Sequence, residues 1–214
     1  MTIKMLDFGL FSPYFTNLKM QAEELISALL NYFPEGDIEN KYRIDTIMHI
    51  QKYPTAWWQR STLVGHVTAS AWVLNQEKNQ ALFLHHSKLN RWLQPGGHLD
   101  DTDFSPAYGA LREALEETGI TNLAFDKLLG DNIFDVDIHP IPTRDTVPAH
   151  LHYDVRYLVV LPNEAPSTAV SISAESLGFR WISLEVVEKQ FETSLARMAQ
   201  KTLQIMKNVS KSTI

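Results

Sequence analysis

Residues 95–120 read PGGHLDDTDFSPAYGALREALEETGI, and the interpretation of the whole chain starts from them. Ser105 is a favourable N-cap, Pro106 suits the first helical position, and Gly119 suits the position after the last turn. Small and apolar residues recur at helical spacing between these limits, so one side of the helix is expected to face the core. The segment therefore predicts a short helix between Ser105 and Gly119, preceded by a Gly-Gly turn.

Three glutamates, Glu113, Glu116 and Glu117, lie within about one turn of each other on this helix. Like charges at i and i+4 oppose helix formation by roughly 0.2–0.5 kcal/mol per pair, so the cluster is costly unless a cation offsets it. Carboxylate oxygens are the ligands that hard cations such as Mg²⁺ prefer. Taken alone, such a run is more often the solvated face of an amphipathic helix. The glycines at 96 and 97 favour a metal site, because they let the backbone approach an ion or a phosphate closely.

This segment resembles the signature box of the Nudix hydrolases. The residues that match the second half of the box are Arg112, Glu113, Ala114, Glu116, Glu117, Gly119 and Ile120. The first half departs from the box, because Asp103 stands where the family has a glutamate and one additional residue separates it from Arg112. We interpret this as a one-residue insertion before Ser105. The segments GHVTASA and PGGH are also similar to a subgroup of bacterial Nudix proteins.

The resemblance implies an α+β fold, a Nudix-type α/β/α sandwich with a mixed sheet. It also implies a diphosphohydrolase that cleaves a nucleoside diphosphate linked to another group, such as a sugar nucleotide, a dinucleotide or a nucleoside triphosphate. In the family, the residues that match Glu113, Glu116, Glu117 and the Gly96 carbonyl bind Mg²⁺ or Mn²⁺. Bound divalent ions neutralise the diphosphate and lower the pKa of the attacking water. The resemblance assigns Glu113, Glu116 and Arg112 to catalysis, with Glu113 as the first candidate for the general base.

Composition limits the classes of protein to consider. The 214 residues suffice for one core with extensions. A net charge of −6 argues against a nucleic-acid coat protein, which needs clusters of Lys and Arg. The absence of cysteine excludes disulfides and thiolate metal sites. The start of the chain lacks a signal-peptide pattern and no stretch has the length of a membrane span, so a cytoplasmic location is expected.

Periodicity predicts helices at both ends of the chain and strands around the box. Helices are expected from Leu18 to Phe33 and over 40–52, the second with Ile44, Ile47, Met48 and Gln51 on one stripe. The expected strands are Val64–Leu74, Ala81–His86, Arg91–Leu93, Leu123–Phe125, Asn132–His139, Leu151–Leu161 and Phe179–Ile182. Helices over 184–187 and 192–207 follow. We divide the chain into an N-terminal helical extension packed on the core (1–60), a Nudix domain (61–190) and a C-terminal helix (191–214).

Two predicted strands, FDVDIH at 134–139 and HLHYDVRYLV at 150–159, alternate apolar with polar residues. Alternation sends the two sets to opposite faces of a sheet. The polar face is either solvated, as in many antiparallel sheets, or the floor of a cavity that holds phosphates, a ribose or a further metal ion. We favour the cavity floor, because His and Asp recur where solvated faces usually carry Lys, Glu and Thr. The candidate substrate-binding residues are His98, His139, His152, Asp154 and Arg156.

The sequence thus predicts a Mg²⁺- or Mn²⁺-dependent Nudix-type diphosphohydrolase that acts on a small nucleotide. A non-catalytic nucleotide-sensing module is the alternative, and it is disfavoured because the box keeps every carboxylate of its second half. An isoprenyl diphosphate isomerase is disfavoured because the family's usual catalytic cysteine is absent. The N-terminal helices are expected to pack on the main fold, and a homodimer contact is left open.

Overall fold

A computed structural model describes residues 21–144, 146–161 and 170–212. In chain order, its elements are α1 (Ala22–Asn31), α2 (Gly36–Lys52), β1 (Gly65–Leu74), β2 (Gln80–His86), β3 (Arg91–Leu93), β4 (Gly96–His98), α3 (Pro106–Thr118), β5 (Ala124–Phe125), β6 (Ile133–Ile141), β7 (His150–Val160), β8 (Ser176–Ser183), α4 (Leu184–Gln190) and α5 (Thr193–Ser212). The predicted start of the first helix at Leu18 lies outside the described residues. None of the helices described is both long enough and apolar enough to cross a membrane.

The described strands form one mixed sheet of eight strands. β1 lies at its centre, parallel to β7 and antiparallel to β2 and β4. β3 and β8 extend the sheet from β2, whereas β5 and β6 pair with β7. The predicted α+β fold, with a mixed sheet between helices, is confirmed.

The Gly-Gly segment is a short strand, so its prediction as a turn was wrong. In β4, Gly96 pairs with Ser70 of β1 and Gly97 pairs with Ala69. The φ angle of Gly96 is +149°, and a Cβ atom at this position would lie 2.5 Å from the Ser70 Cα atom. Only glycine therefore allows β4 to approach β1 this closely.

Helices cover both faces of the sheet. Successive residues of β1 point to opposite sides, so they contribute to two different cores. On one side, Val67 and Ala71 share a buried core with Ala110 and Ala114 of α3. On the other side, a second core contains Trp72 and residues of α4 and α5. The small alanines let α3 lie close to the sheet, which fixes the height of the side chains on its outer flank.

The N-terminal helices belong to the first core, in which Leu29, Ile50 and Trp57 are buried. Trp57 is almost completely buried and anchors the segment after α2 in this core. The stripe predicted for α2 was wrong for Ile44 and Met48, which are exposed, whereas Ile47 packs against the core. Residues on the other side of this helix are buried instead, namely Glu39, Thr46, His49 and Ile50.

The buried side of α2 is polar because it lies beside the open edge of β6, which pairs with β7 alone among the described strands. An edge strand presents unpaired backbone groups, which need partners when they are buried. The Glu39 carboxylate accepts a hydrogen bond from the Val136 amide at 3.1 Å. The Phe134 carbonyl accepts hydrogen bonds from the Tyr32 hydroxyl at 3.0 Å and the Lys201 ammonium at 3.1 Å. Side chains from α2, α5 and the segment after α1 thus close this edge.

Candidate active site

The helix that carries the glutamates begins and ends where the sequence predicts. The Ser105 hydroxyl caps its first turn by accepting a hydrogen bond from the Tyr108 amide at 3.4 Å. Gly119 follows its last turn with a φ angle of 66°, in the left-handed region. Because Ala110 and Ala114 face the core, the glutamates project from the flank of α3 toward β4.

Two glycines of β4 hold two of the carboxylates. The Gly96 amide donates a hydrogen bond to the Glu117 carboxylate at 3.0 Å. A Cβ atom at Gly97 would lie 2.8 Å from the Glu113 Cδ atom, so glycine provides the space that this carboxyl group occupies. Burial raises the pKa of Glu113. Burial also raises the pKa of Glu117 to about 7, and the negative charge of Glu113 adds to the effect. Both shifts indicate negative charge that a cation would stabilise.

Arg112 joins the segment before the helix to the glutamates. Its guanidinium donates two hydrogen bonds to Asp103, at 2.9 and 3.0 Å, and one to the His98 carbonyl at 3.0 Å. It also donates to Glu113 at 3.2 Å and to Glu116 at 3.1 Å. The hydrogen bonds to Asp103 are the main reason that the pKa of Arg112 is raised. Asp103, whose role the sequence left open, is therefore the buried partner that orients Arg112.

The three glutamates differ in exposure, since Glu113 and Glu117 are partly buried and Glu116 is exposed. The Glu116 side chain is 61% exposed and is held by Arg112. Within the described part of the chain, the carboxylate oxygens of the three glutamates do not all come within 4.8 Å of one another. Mg²⁺ usually keeps several waters and binds one or two carboxylates together with substrate phosphates, so it does not require all three carboxylates to converge on one point. The assignment of Glu113, Glu116, Glu117 and Gly96 to a metal site stays a prediction.

The register of the sheet aligns polar side chains of β6, β7 and β1 in rows on one face. These rows are His139, His152 and His66, then Asp137, Asp154 and Thr68, and then Asp135, Arg156 and Ser70. Asp135, Asp154 and Arg156 are almost completely buried. The alternative of a solvated outer face is therefore wrong for this part of the sheet.

Arg156 is the centre of a buried ion-pair network. Its guanidinium contacts Asp154 at 2.8 Å, Asp137 at 3.0 Å and Asp135 at 3.3 Å. Burial opposes ionisation of Asp137, but the charge of Arg156 lowers the pKa of this carboxyl group to about 2. The Ser70 hydroxyl donates a further hydrogen bond to Asp154 at 2.8 Å. Both Asp154 and Arg156 already have partners within the protein. Contacts of these two residues with a substrate stay a prediction.

The network continues into helices that the sequence did not connect with the site. Arg197 donates two hydrogen bonds of 2.7 Å to Asp135. Lys201 lies 2.9 Å from Asp135 and 2.5 Å from Glu39. Glu39 and Lys201 are 162 residues apart, so no local pattern in the sequence could indicate that they meet.

Five histidines gather at the other end of the polar face, and three of them, His98, His139 and His152, were predicted as substrate-binding residues. The rings of His66, His98 and His152 lie 4.9–5.0 Å apart, centroid to centroid. The His139 ring lies 5.5 Å from His152, and the His150 ring lies 5.1 Å from His66. Mainly through burial, the pKa of His152 is lowered to about 2, that of His98 to about 3 and that of His66 to about 4. These three rings are neutral at neutral pH.

The NUDIX domain family model matches residues 64–202 of this chain. The chain belongs to the NUDIX domain family. The match begins just before β1 and ends within α5, so it includes Glu113, Glu116 and Glu117 but neither α1 nor α2. The predicted division of the chain at residues 60 and 190 stays a prediction.

Known relatives agree with this membership. A protein of Lactococcus lactis subsp. cremoris (strain MG1363), named "Probable DHNTP pyrophosphohydrolase", is 27% identical over 170 residues, which are 79% of this chain and 94% of the relative. The crystal structure of a binary complex of a C. elegans Ap4A hydrolase is 19% identical and has a TM-score of 0.50. That comparison covers 66% of this chain and 98% of the other, and at this identity it shows the fold alone. The Nudix-type α/β/α sandwich and the Nudix-type diphosphohydrolase predicted from the box are thereby confirmed.

Proposed function

We propose that this Nudix protein uses Mg²⁺ or Mn²⁺ to cleave the diphosphate linkage of a nucleoside diphosphate derivative. The observation that carries the proposal is the placement of Glu113 and Glu117 against Gly97 and Gly96, where burial raises the pKa of both carboxyl groups. Such a site favours a divalent cation, since the cation offsets the negative charge that burial disfavours. The substrate group beside this site would then be a diphosphate. Its negative charge needs a bound cation, because the neighbouring glutamates are negative as well.

The ion would be held by Glu113, Glu116, Glu117 and the Gly96 carbonyl. When bound, it supplies charge neutralisation of the diphosphate and a lower pKa of the attacking water. The exposure of Glu116 leaves room on its side for water and phosphate oxygens around such an ion.

Residues of the chain supply positioning and proton transfer. Arg112 holds Glu113 and Glu116 through one guanidinium nitrogen, at 3.2 and 3.1 Å. Asp103 fixes the other side of this guanidinium and so sets the direction of those contacts. Glu113 is our candidate for the general base, because a carboxylate that is not fully used as a metal ligand can accept a proton from water.

The substrate is proposed to be a small nucleotide or a related triphosphate, and DHNTP is the first to test because of the name of the Lactococcus relative. His139 is a candidate to contact its phosphates or ribose, and His98 and His152 are candidates to do so directly or through a further metal ion. His98 connects the two regions, since its carbonyl accepts a hydrogen bond from Arg112 while its ring lies among the histidines. A cytoplasmic location and a homodimer remain predictions.

Turnover assays test the proposal. The protein is incubated with DHNTP, nucleoside triphosphates, sugar nucleotides and dinucleotides, each with Mg²⁺, with Mn²⁺ or with a chelator, and released phosphate, pyrophosphate and monophosphate are measured. We expect product only with a divalent ion. Substitution Glu113→Gln should lower kcat by about 10²–10⁴-fold, the range for loss of a general base. Glu117→Gln should raise the Mg²⁺ concentration needed for half-maximal rate.

The matched control is Glu188→Gln, which removes an exposed carboxylate of α4 outside the site. Circular dichroism spectra establish that each variant is folded. Full metal-dependent turnover in both Glu113→Gln and Glu117→Gln would contradict the proposal. Nucleotide binding with Mg²⁺ but without any product would favour the alternative of a nucleotide-sensing module.

A further inference from the structure

Three histidines from three different strands face the same small volume. His66 of β1 pairs directly with His152 of β7. His98 of β4 pairs with Thr68, which lies two residues from His66 on the same face of β1. The register of the sheet, rather than a flexible loop, therefore brings the three imidazoles together. Each lies on a strand that is fixed by backbone hydrogen bonds to its neighbour.

The nitrogens of these rings are close enough to share one ion. One nitrogen from each of His66, His98 and His152 can be chosen so that all three lie within 4.8 Å of each other. Among the described residues, it is the one group of three or more His, Asp or Glu side chains whose ligand atoms lie this close together. A tetrahedral ion with bonds of about 2.0–2.1 Å holds its ligand nitrogens about 3.4 Å apart. Rotation of the side chains by small amounts closes the remaining distance.

The buried nitrogens lack other partners. His66 is 3% exposed, and neither nitrogen of its ring makes a hydrogen bond of acceptable geometry within the described residues. The Nε2 atom of His152 is also buried and unpaired in the same part of the chain. Buried polar groups without partners are rare because they cost free energy, and an ion held by these nitrogens would remove that cost. The Thr62 backbone lies near the His66 ring, without a hydrogen bond of acceptable geometry to either ring nitrogen. Metal-binding histidines commonly direct their second nitrogen to a backbone carbonyl.

We propose that His66, His98 and His152 bind one transition-metal ion of the Zn²⁺ class. Imidazole nitrogens suit Zn²⁺, Co²⁺, Ni²⁺ or Cu²⁺, whereas Mg²⁺ prefers oxygen ligands. The site is therefore distinct in chemistry from the carboxylate row that we assign to Mg²⁺ or Mn²⁺. Three histidines leave a fourth position open for water, and the nearby His150 ring lies 5.1 Å from His66 and 5.3 Å from His152.

The ion would fasten β4 to β1 and β7. β4 is three residues long and carries Gly96 and Gly97, which hold Glu117 and Glu113. The carbonyl of His98 also accepts a hydrogen bond from Arg112. Binding at the histidines would thus stabilise the strand against which the glutamates pack, without any contact between the ion and the glutamates.

Metal titration of the full chain tests this proposal. Protein prepared without a histidine tag is stripped with a chelator and then titrated with Zn²⁺ by calorimetry and with Co²⁺ by visible absorption. We expect one tight site per chain and a Co²⁺ spectrum typical of nitrogen ligands. Substitutions His66→Gln, His98→Gln and His152→Gln should each weaken Zn²⁺ binding by at least about 100-fold, since loss of a ligand exceeds the 10–100-fold effect of losing an outer partner.

Two controls distinguish this site from nonspecific binding to other histidines and from binding to the carboxylate row. His86→Gln removes a histidine of β2 whose ring accepts hydrogen bonds from nearby backbone amides, and it should leave Zn²⁺ binding unchanged. Glu117→Gln should impair the Mg²⁺-dependent reaction and leave Zn²⁺ binding unchanged. Because His66 is buried and its variant could fail to fold, His98→Gln and His152→Gln are measured in parallel with circular dichroism spectra.

Equal Zn²⁺ affinity in wild type and in folded His98→Gln and His152→Gln would overturn the proposal. So would Zn²⁺ binding that Glu117→Gln abolishes, because the ion would then occupy the carboxylate row. Absence of a stoichiometric site in the wild-type chain would overturn it as well.

Discussion

At the scale of single residues, the most specific requirement is the absence of a side chain at Gly97. The Glu113 carboxyl group occupies the space into which a Cβ atom would project, at 2.8 Å. Sequence reasoning placed both glycines next to the ion and anticipated a close approach of the backbone. It could not show that the group that approaches Gly97 is a carboxylate of the same site.

Substitution Gly97→Ala should displace the Glu113 carboxylate, because this flexible side chain yields more easily than the paired backbone of β4. We expect the Mg²⁺ concentration for half-maximal activity to rise by about tenfold or more, comparable with loss of an outer partner of a metal ligand. Stability should change little. A Mg²⁺ titration of turnover measures the effect, and Gly178→Ala is the control because a Cβ atom there meets nothing within 4 Å. Equal Mg²⁺ dependence in the two variants would contradict the role given to Gly97.

The lowered pKa of Asp137 predicts how the stability of the fold changes at acid pH. Its pKa of about 2 in the folded protein lies below the ordinary value of 3.8, so the unfolded chain binds a proton first as the pH falls. The carboxylate therefore contributes stability that is complete above about pH 4 and is lost as the pH falls through 2. Melting temperatures of wild type and Asp137→Asn should differ above pH 4 and converge toward pH 2. The exposed Asp131→Asn is the control, and a constant difference between wild type and Asp137→Asn over this range would refute the prediction.

At the scale of secondary-structure elements, local signals were sufficient for most of the helices and strands. The cap at Ser105 and the glycine at 119 defined α3, and alternation of polar and apolar residues defined β6 and β7. Two features were not predicted from the sequence, for physical reasons. β4 is too short to show alternation, and the buried side of α2 was determined by the edge of β6, which is distant in sequence.

Strand pairing explains which contacts of the site could be predicted from the sequence and which could not. Alternation indicated that His139 and His152 share faces with other polar residues. Which strands lie side by side depends on long-range pairing, and β1 and β7 meet in parallel although about 85 residues separate them. The meeting of His66 with His152, and the ion pairs of Arg156, follow from that register and not from any local pattern.

Glu39 is the element-scale test, because it joins α2 to β6 and α5. Removal of one partner from a buried ion pair leaves an uncompensated charge and costs about 3–5 kcal/mol. We expect Glu39→Ala to lower the free energy of unfolding by this amount, since Lys201 and the Val136 amide both lose a partner. Urea denaturation measures the loss.

The exposed Glu24→Ala on α1 is the control for this measurement. Double substitution of Glu39 and Lys201 by Met should be less destabilising than the sum of the single changes, because residues of one network couple. A loss below about 1 kcal/mol in Glu39→Ala, the level of an exposed ion pair, would contradict the role of Glu39.

At the scale of the whole molecule, the family match and the folding unit differ in extent. The match starts at residue 64, yet Leu29, Ile50 and Trp57 are buried in the same core as α3 and the sheet. We expect a chain that begins at residue 61 to lose cooperative unfolding, because it exposes this part of the core and the edge of β6.

The matched control is a chain that begins at residue 21, which keeps every described residue. Thermal unfolding followed by circular dichroism, together with size-exclusion chromatography, compares the two. If the shorter chain unfolds cooperatively at the same temperature as the longer one, the N-terminal helices are an accessory and not a part of the folding unit.

The pairing of Glu39 with Lys201 has a consequence for biosynthesis. The carboxylate is synthesised 162 residues before its ammonium partner, which at about 5–20 residues per second is a delay of roughly 8–32 s. Until Lys201 is available, the Phe134 carbonyl and the Glu39 carboxylate each lack one of their native partners. Native closure of this edge therefore waits until Lys201 has left the ribosome.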